Sequence, residues 1–426
     1  MAEIRPFRGL RYDPAQVSSD DVLAPPYDVV GEAAEAELLA RSPHNAAHVE
    51  LAPGEPAGRF ERAAEALQRW QGGGELTRDD EPAFYLYQQE ATIEGARIQR
   101  CCFFAQLQLA QHDAGIVRPH ESTMAGPRAI RLDLMRATNA NISPIFSMFT
   151  DPPHRARGVI DRVASGDPVF ESTDGLGDVH RLWLINDTSD VTTLTEVLRD
   201  STVTIADGHH RYHTALDYMA EHPESDAARH VLMGLIDAED PGLVILPNHR
   251  LVRAEAPADL VERLSERFEV SDVTSELPDG VDGATALLER VRERVAGPST
   301  FGAIEASGRK LLATGRSFEL LGDAMPDGLS EASRRLDALV LTELILDPLF
   351  GIDAAALTAG AVDFTADITE AYTETVDGPY SVAFLVNGTP VQQVIEVADA
   401  AEVMPQKTTF FYPKLATGMV FSLLDE

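Results

Sequence analysis

Residues 202–216 read Thr202-Val203-Thr204-Ile205-Ala206-Asp207-Gly208-His209-His210-Arg211-Tyr212-His213-Thr214-Ala215-Leu216. A short β-branched run ends at Asp207-Gly208, and apolar residues then recur at helical spacing: Tyr212, Ala215, Leu216 and Met219. This order predicts a strand, a tight turn and the start of a helix. Two imidazoles and a guanidinium occupy the turn, where the first N–H groups of a helix have no backbone acceptor. Such N–H groups, the positive end of the helix dipole and cationic side chains make an anion seat, with phosphate as the expected occupant.

Each residue of the turn has more than one chemical use. Asp207 is a plain helix cap, an acceptor for a substrate hydroxyl, or a ligand for Mg²⁺. Gly208 lets a ligand approach the backbone or lets the chain turn sharply. His209, His210 and Arg211 are donors to phosphate oxygens, the arginine in the bidentate manner lysine cannot match. His209 and His213 stand four apart and share a helix face, but no third ligand lies nearby, which argues against a zinc site.

Three further blocks supply chemistry. Arg118-Pro119-His120-Glu121-Ser122-Thr123-Met124-Ala125-Gly126-Pro127-Arg128 mixes acid, base, hydroxyls and two arginines in a loop unsuited to a core. Glu121 is the candidate general base for an alcohol in phosphoryl transfer, and an ion pair with Arg118 or Arg128 is the structural alternative. Residues 406–414 hold Lys407 and Lys414, two of only three lysines, beside Phe410, Phe411 and Tyr412. Those lysines either compensate phosphate charge or flank a core strand. Tyr27 and Asp28 are candidate pocket residues, and His249 and Arg250 at a strand end join His120 in the phosphate-binding set.

The 426 residues are 44% hydrophobic and 24% charged, the balance of a folded chain. No apolar run is long enough for a membrane span, and the first residues lack the core of a secretion signal. The net charge of −34 opposes a polyanionic partner, so DNA and RNA are not expected, whereas a small phosphorylated ligand is. Cys101 and Cys102 are adjacent, a poor geometry for a bridge, and point to a reducing cytoplasm.

Residues 83–110 predict two strands joined at Glu94-Gly95; further strands are expected near 180–186, 230–237, 243–252 and 300–316. Helices are expected at 59–70, 128–138, 257–268, 283–296 and 330–346. The fold class is α+β: a mixed-sheet core over 1–253 carrying the strand–turn–helix, a smaller αβ unit over 254–400, and a segment 401–426 returning to the core.

The blocks occur in the order Arg5-Pro6-Phe7, Pro25-Pro26-Tyr27-Asp28-Val29, Pro119-His120-Glu121 with Gly126-Pro127, Asn141 to Phe146, Ala206 to Tyr212, His249-Arg250 and Lys407 to Lys414. This series resembles the prokaryotic family called domain of unknown function ten-fifteen over nearly the whole chain. The Asp-Gly-His-His-Arg turn is also similar to the signature of the ParB/sulfiredoxin superfamily, whose members set a Gly-x-x-Arg turn against nucleotide phosphates. Sulfiredoxins carry a reactive cysteine where this chain has His209, and ParB proteins grip DNA, which the charge opposes. The superfamily's free-serine kinases phosphorylate L-serine with a nucleotide donor, often with Mg²⁺. That resemblance implies a small-molecule kinase, or the reverse or hydrolytic reaction, with nucleotide or pyrophosphate as donor. The alternative is a non-catalytic module that binds a nucleotide or phosphometabolite, and a ParB-like DNA-binding or nuclease protein stands behind both.

Overall fold

The antiparallel hairpin at the centre of the larger sheet forms where two aromatic-rich runs meet at Glu94 and Gly95. Both take left-handed backbone conformations, φ 49° and 80°, the pair a two-residue hairpin needs to match strand twist. The computed structural model describes residues 1–121 and 125–425. Ser122, Thr123 and Met124 of the mixed loop lie outside the described residues, as do the side chains of residues 125–127.

The chain divides into two compact units. The first comprises Met1–Pro119, the described part of Thr123–Val244 and the segment from Pro413; the second comprises His120 and Glu121 with Ile245–Tyr412.

The first unit holds a nine-stranded mixed sheet. Its strands are β1 (Ile4–Arg5), β2 (Phe84–Ile93), β3 (Ala96–Gln108), β4 (Val117–Arg118), β5 (Ile145–Phe149), β6 (Phe170–Thr173), β7 (Val179–Ile185), β8 (Val203–Asp207) and β9 (His230–Asp237). They lie in the order β4-β8-β5-β9-β3-β2-β7-β6, with β1 also on β3. β4 runs parallel to β8 and β9 parallel to β5, while the remaining pairs are antiparallel. Phe84–Gln89 are buried in succession because both faces of β2 are covered, so this strand reads as a continuous run rather than an alternation. Cys101 and Cys102 fall on opposite faces of β3, both buried and both free. Burial pushes both thiols upward, away from the reactive thiolate.

The quoted stretch folds as β8 followed by a helix, α2 (His209–Glu221). α2 packs on an earlier helix, α1 (Ala125–Thr138). It buries Tyr212, Ala215 and Leu216 as the spacing predicts, and also Arg211, Thr214 and Tyr218. Tyr212 fixes the helix to the end of the sheet: its hydroxyl donates to the Ala110 carbonyl at 2.7 Å and accepts from the Ala110 N–H at 3.1 Å. Tyr212→Phe strands both backbone groups and is expected to lower stability by about 2 kcal/mol. A urea titration in which wild type and variant share one midpoint would contradict that role.

The second unit carries a six-stranded, wholly antiparallel sheet. Its strands are β10 (His249–Val252), β11 (Phe268–Asp272), β12 (Thr300–Glu305), β13 (Lys310–Gly315), β14 (Val362–Thr365) and β15 (Val382–Leu385). Their order is β11-β13-β12-β15-β10-β14. α3 (Gly280–Arg292) and α4 (Ile368–Val376) cover one face, through Leu287, Leu288, Val291 and Ala371.

Two expected helices are shorter than their periodicity implies. The helix expected over 257–268 is limited to Leu260–Leu264, because Phe268 is drawn into strand β11 opposite Gly315. That expected over 330–346 breaks into Glu331–Arg334, Asp337–Leu341 and a wide π turn, Thr342–Leu346, with Leu336 extended between the first two. No helix among the described residues is long and apolar enough to cross a membrane.

Candidate functional site

β8 carries a bulge just before the turn: Ile205 faces Ser147 but Asp207 faces Phe146, so the register shifts across Ala206. A bulge re-aims the side chain that follows it. Gly208 is left-handed, φ 92° and ψ 28°, and occupies the cap position of α2. Asp207 does not cap the helix, and α2 opens with no side-chain cap at all. A Cβ on residue 208 would stand 2.9 Å from Arg211 Nε, so sterics as well as φ require glycine.

Asp207 is engaged by two cations. Lys414 Nζ donates to Oδ1 at 2.5 Å and Arg211 Nη2 donates to Oδ2 at 2.6 Å. Burial pushes this carboxyl up, but Lys414 and Arg211 outweigh it and hold the group well below the usual carboxylate range. Both oxygens therefore face positive charge, which does not fit a Mg²⁺ ligand. The described residues contain no cluster of three or more His, Cys, Asp or Glu suited to a metal.

Arg211 is 7% exposed. Its Nη1 donates to the Pro144 carbonyl, and its Nε is buried without a hydrogen-bond partner. Asp207, Asp28, Tyr27 and Glu50 hold the guanidinium charged against the opposing effect of burial. His210 is half-buried with Nδ1 unpartnered; burial, then the neighbouring His213, push its pKa down and keep the ring neutral. His213 Nδ1 donates to the His209 carbonyl at 3.0 Å, and its ring lies 5.0 Å from that of His112.

The other first-unit candidates scatter around this turn. Asp28 is exposed, and its charge acts on both Arg211 and His210. Tyr27 lies under the Arg131 guanidinium, 3.8 Å from Cζ to the ring centroid. Arg128 on α1 is engaged with Asp217 on α2 through two donors. Arg118 is half-buried on β4.

A second charged group in the same unit carries no local sequence signal. Glu50 is fully buried, and its Oε1 accepts from Ser143 Oγ at 3.1 Å and from the Tyr27 N–H at 3.3 Å. Arg131 Nη1 stands 3.3 Å from the same oxygen, and Arg131 Nη2 donates to the Glu50 carbonyl at 2.8 Å. Glu50, Arg131, Ser143 and Arg211 line one cleft. Glu50 sits alone between Val49 and Leu51, and its partners Tyr27, Arg131 and Ser143 lie 23, 81 and 93 positions away, beyond any local pattern.

The second unit gathers the remaining candidates. His120 is buried; its Nε2 is 2.8 Å from Thr409 Oγ1, and its ring meets Phe411 edge-on. Glu121, half-buried, forms an isolated parallel bridge with Met404. Lys407 is exposed and left-handed, φ 59°, and its carbonyl accepts from Asn248 Nδ2 at 2.9 Å. Arg250 is buried on the Asn248 carbonyl and over the Phe364 ring, with burial lowering its pKa to about 10. His249 is fully buried, and burial, then Arg250, lower its pKa to about 3. Nearby Asp337 is pushed up to about 6 by burial, against Ser299 and Arg250.

A family model described as "Protein of unknown function (DUF1015)" matches residues 4–338. The chain belongs to that family. No curated protein matches this member of it by sequence. Several solved structures are distantly similar to it. A free serine kinase in complex with AMP shares 12% identity at a TM-score of 0.34, covering 75% of this chain and 92% of the kinase. A conserved hypothetical protein from Pyrococcus furiosus shares 13% at 0.34, covering 79% and 98%. SbnI from Staphylococcus aureus, truncated at its C-terminus, shares 9% at 0.36, covering 76% and 89%. Superpositions this loose transfer no residue and no activity to the DUF1015 chain.

Proposed function

We propose that the protein is a phosphotransfer enzyme of ParB/sulfiredoxin-like type, with free L-serine as acceptor and a nucleotide or pyrophosphate as donor. The left-handed Gly208 turn carries this reading. A helix whose cap residue is glycine has no cap side chain over its first turn, and its positive dipole end favours an anion there. His210 and Arg211 flank those groups, and the paired cations on Asp207 make the surroundings favourable to an anion in a chain of net charge −34.

In the forward reaction the serine hydroxyl oxygen attacks the donor's terminal phosphorus. The bond from phosphorus to the leaving phosphate oxygen breaks, and the hydroxyl proton passes to a general base, the role for which Glu121 is the sequence candidate. The hydrolytic direction replaces serine by water and takes phosphoserine as substrate. Asp207 acts as a positioning residue that fixes Arg211 and Lys414.

Phosphoserine formation and loss, followed with ATP, ADP and pyrophosphate, test the assignment directly. Gly208→Ala adds left-handed strain of about 1–2 kcal/mol and pushes on Arg211, so pyrophosphate binding should weaken about tenfold. Equal calorimetric affinity in wild type and variant would remove the seat.

A further inference from the structure

Three residues that line the cleft beside Arg211 each hold a buried polar atom without a hydrogen-bond partner. Glu50 Oε1 already has Ser143, Tyr27 and Arg131 as partners, yet Oε2 is buried with none. Arg131 uses its two terminal nitrogens on Glu50, and its Nε is buried with none. Arg211 uses its terminal nitrogens on Pro144 and Asp207, and its Nε is likewise without a partner. Buried polar atoms left this way are costly, and clusters of them mark a place for a polar occupant. The arrangement offers one anionic acceptor and two cationic donors.

The space limits the occupant's size. The cleft spans about 390 Å³ counted out to its mouth, of which about 40 Å³ admits water-sized groups. That smaller volume suits a compact polar head group. Leu134, Ile142 and Ile145 supply apolar wall beside the charged set.

We infer that this cleft binds the head group of a small zwitterion, an ammonium on Glu50 beside a carboxylate on Arg131 and Arg211. A dicarboxylate leaves Glu50 facing like charge, and a simple amine leaves the two arginines without an anion. Only a ligand bearing both charges satisfies all three atoms. The assignment rests on the proposed function in that Arg211 borders both the anion seat and this cleft, which places an amino-acid acceptor beside the phosphate. Glu50 and Arg131 lie outside every block quoted from the sequence, so the cleft adds two residues and a binding geometry for the amino-acid head group to the site.

Calorimetry on the full chain without nucleotide provides the test, with L-serine, glycine, glycolate and ethanolamine as probes. Serine and glycine should bind; glycolate, lacking the ammonium, and ethanolamine, lacking the carboxylate, should bind more than about tenfold more weakly. Glu50→Gln should lose serine binding by a similar factor while retaining pyrophosphate binding. Ser143→Ala, which removes one bond to Oε1 without stranding a charge, should fold normally and weaken serine severalfold if the Glu50 variant fails to fold. No zwitterion binding to wild type, or equal binding of glycolate and serine, overturns the proposal. A crystal soaked in serine that shows only ordered waters at Glu50 Oε2 does the same. Failure here with pyrophosphate binding intact and sensitive to Gly208→Ala leaves the phosphate seat standing; loss of both removes the functional reading as well.

Discussion

Asp207→Asn is expected to cost about 3–5 kcal/mol of stability at neutral pH, because it leaves Lys414 and Arg211 close together without their shared anion. Arg211 has no aqueous alternative, being buried on the Pro144 carbonyl. The same carboxylate predicts an acid response. Its pKa in the folded protein lies well below the value of about 4 that the unfolded chain has, so its contribution is fully present above that pH. It is lost as pH falls through the folded value. Guanidinium titrations at pH 7 and pH 3 should show the difference between wild type and Asp207→Asn shrinking toward the lower pH. A difference that stays constant, or grows in acid, would refute the paired-cation account.

The second large effect concerns chemistry. Glu121→Gln is expected to reduce turnover by about 10²–10⁴, the usual loss when a general base is removed, while pyrophosphate still binds. The amide keeps the size of the side chain, and the backbone bridge of Glu121 to Met404 does not depend on the carboxylate's charge, so the fold should survive. Unchanged turnover in this variant would dismiss Glu121 as the base. Loss of turnover together with loss of pyrophosphate binding would instead assign it to ligand binding. If neither protein turns over any phosphoserine while both bind pyrophosphate, the non-catalytic reading takes over.

The strand–turn–helix was legible because its signals are local: a β-branched run, Asp-Gly, then apolar residues at helical spacing. The hairpin at Glu94-Gly95 and the strand His230–Asp237 were legible for the same reason. Asp207's state was not, since the capping role suggested by an Asp before a helix is overridden by Lys414, which lies 207 residues along the chain. The helix expected over 330–346 is interrupted at Leu336, which is extended. Asp337 just after it is half-buried near Arg250 and Ser299, a tertiary setting that apolar periodicity does not register. The Glu50 cleft was invisible for the most general reason. Glu50 and Arg131 are brought beside Arg211 by tertiary packing, and each of those two looks ordinary on its own.

The two buried thiols of β3 have a practical outcome. Neither ionises readily, so maleimides and iodoacetamides should leave the native chain unmodified. A cysteine introduced at an open position such as Leu176, which is 80% exposed, would then be the sole attachment point for a fluorophore or spin label. Distance measurements on the working protein therefore require no prior removal of its native sulfur.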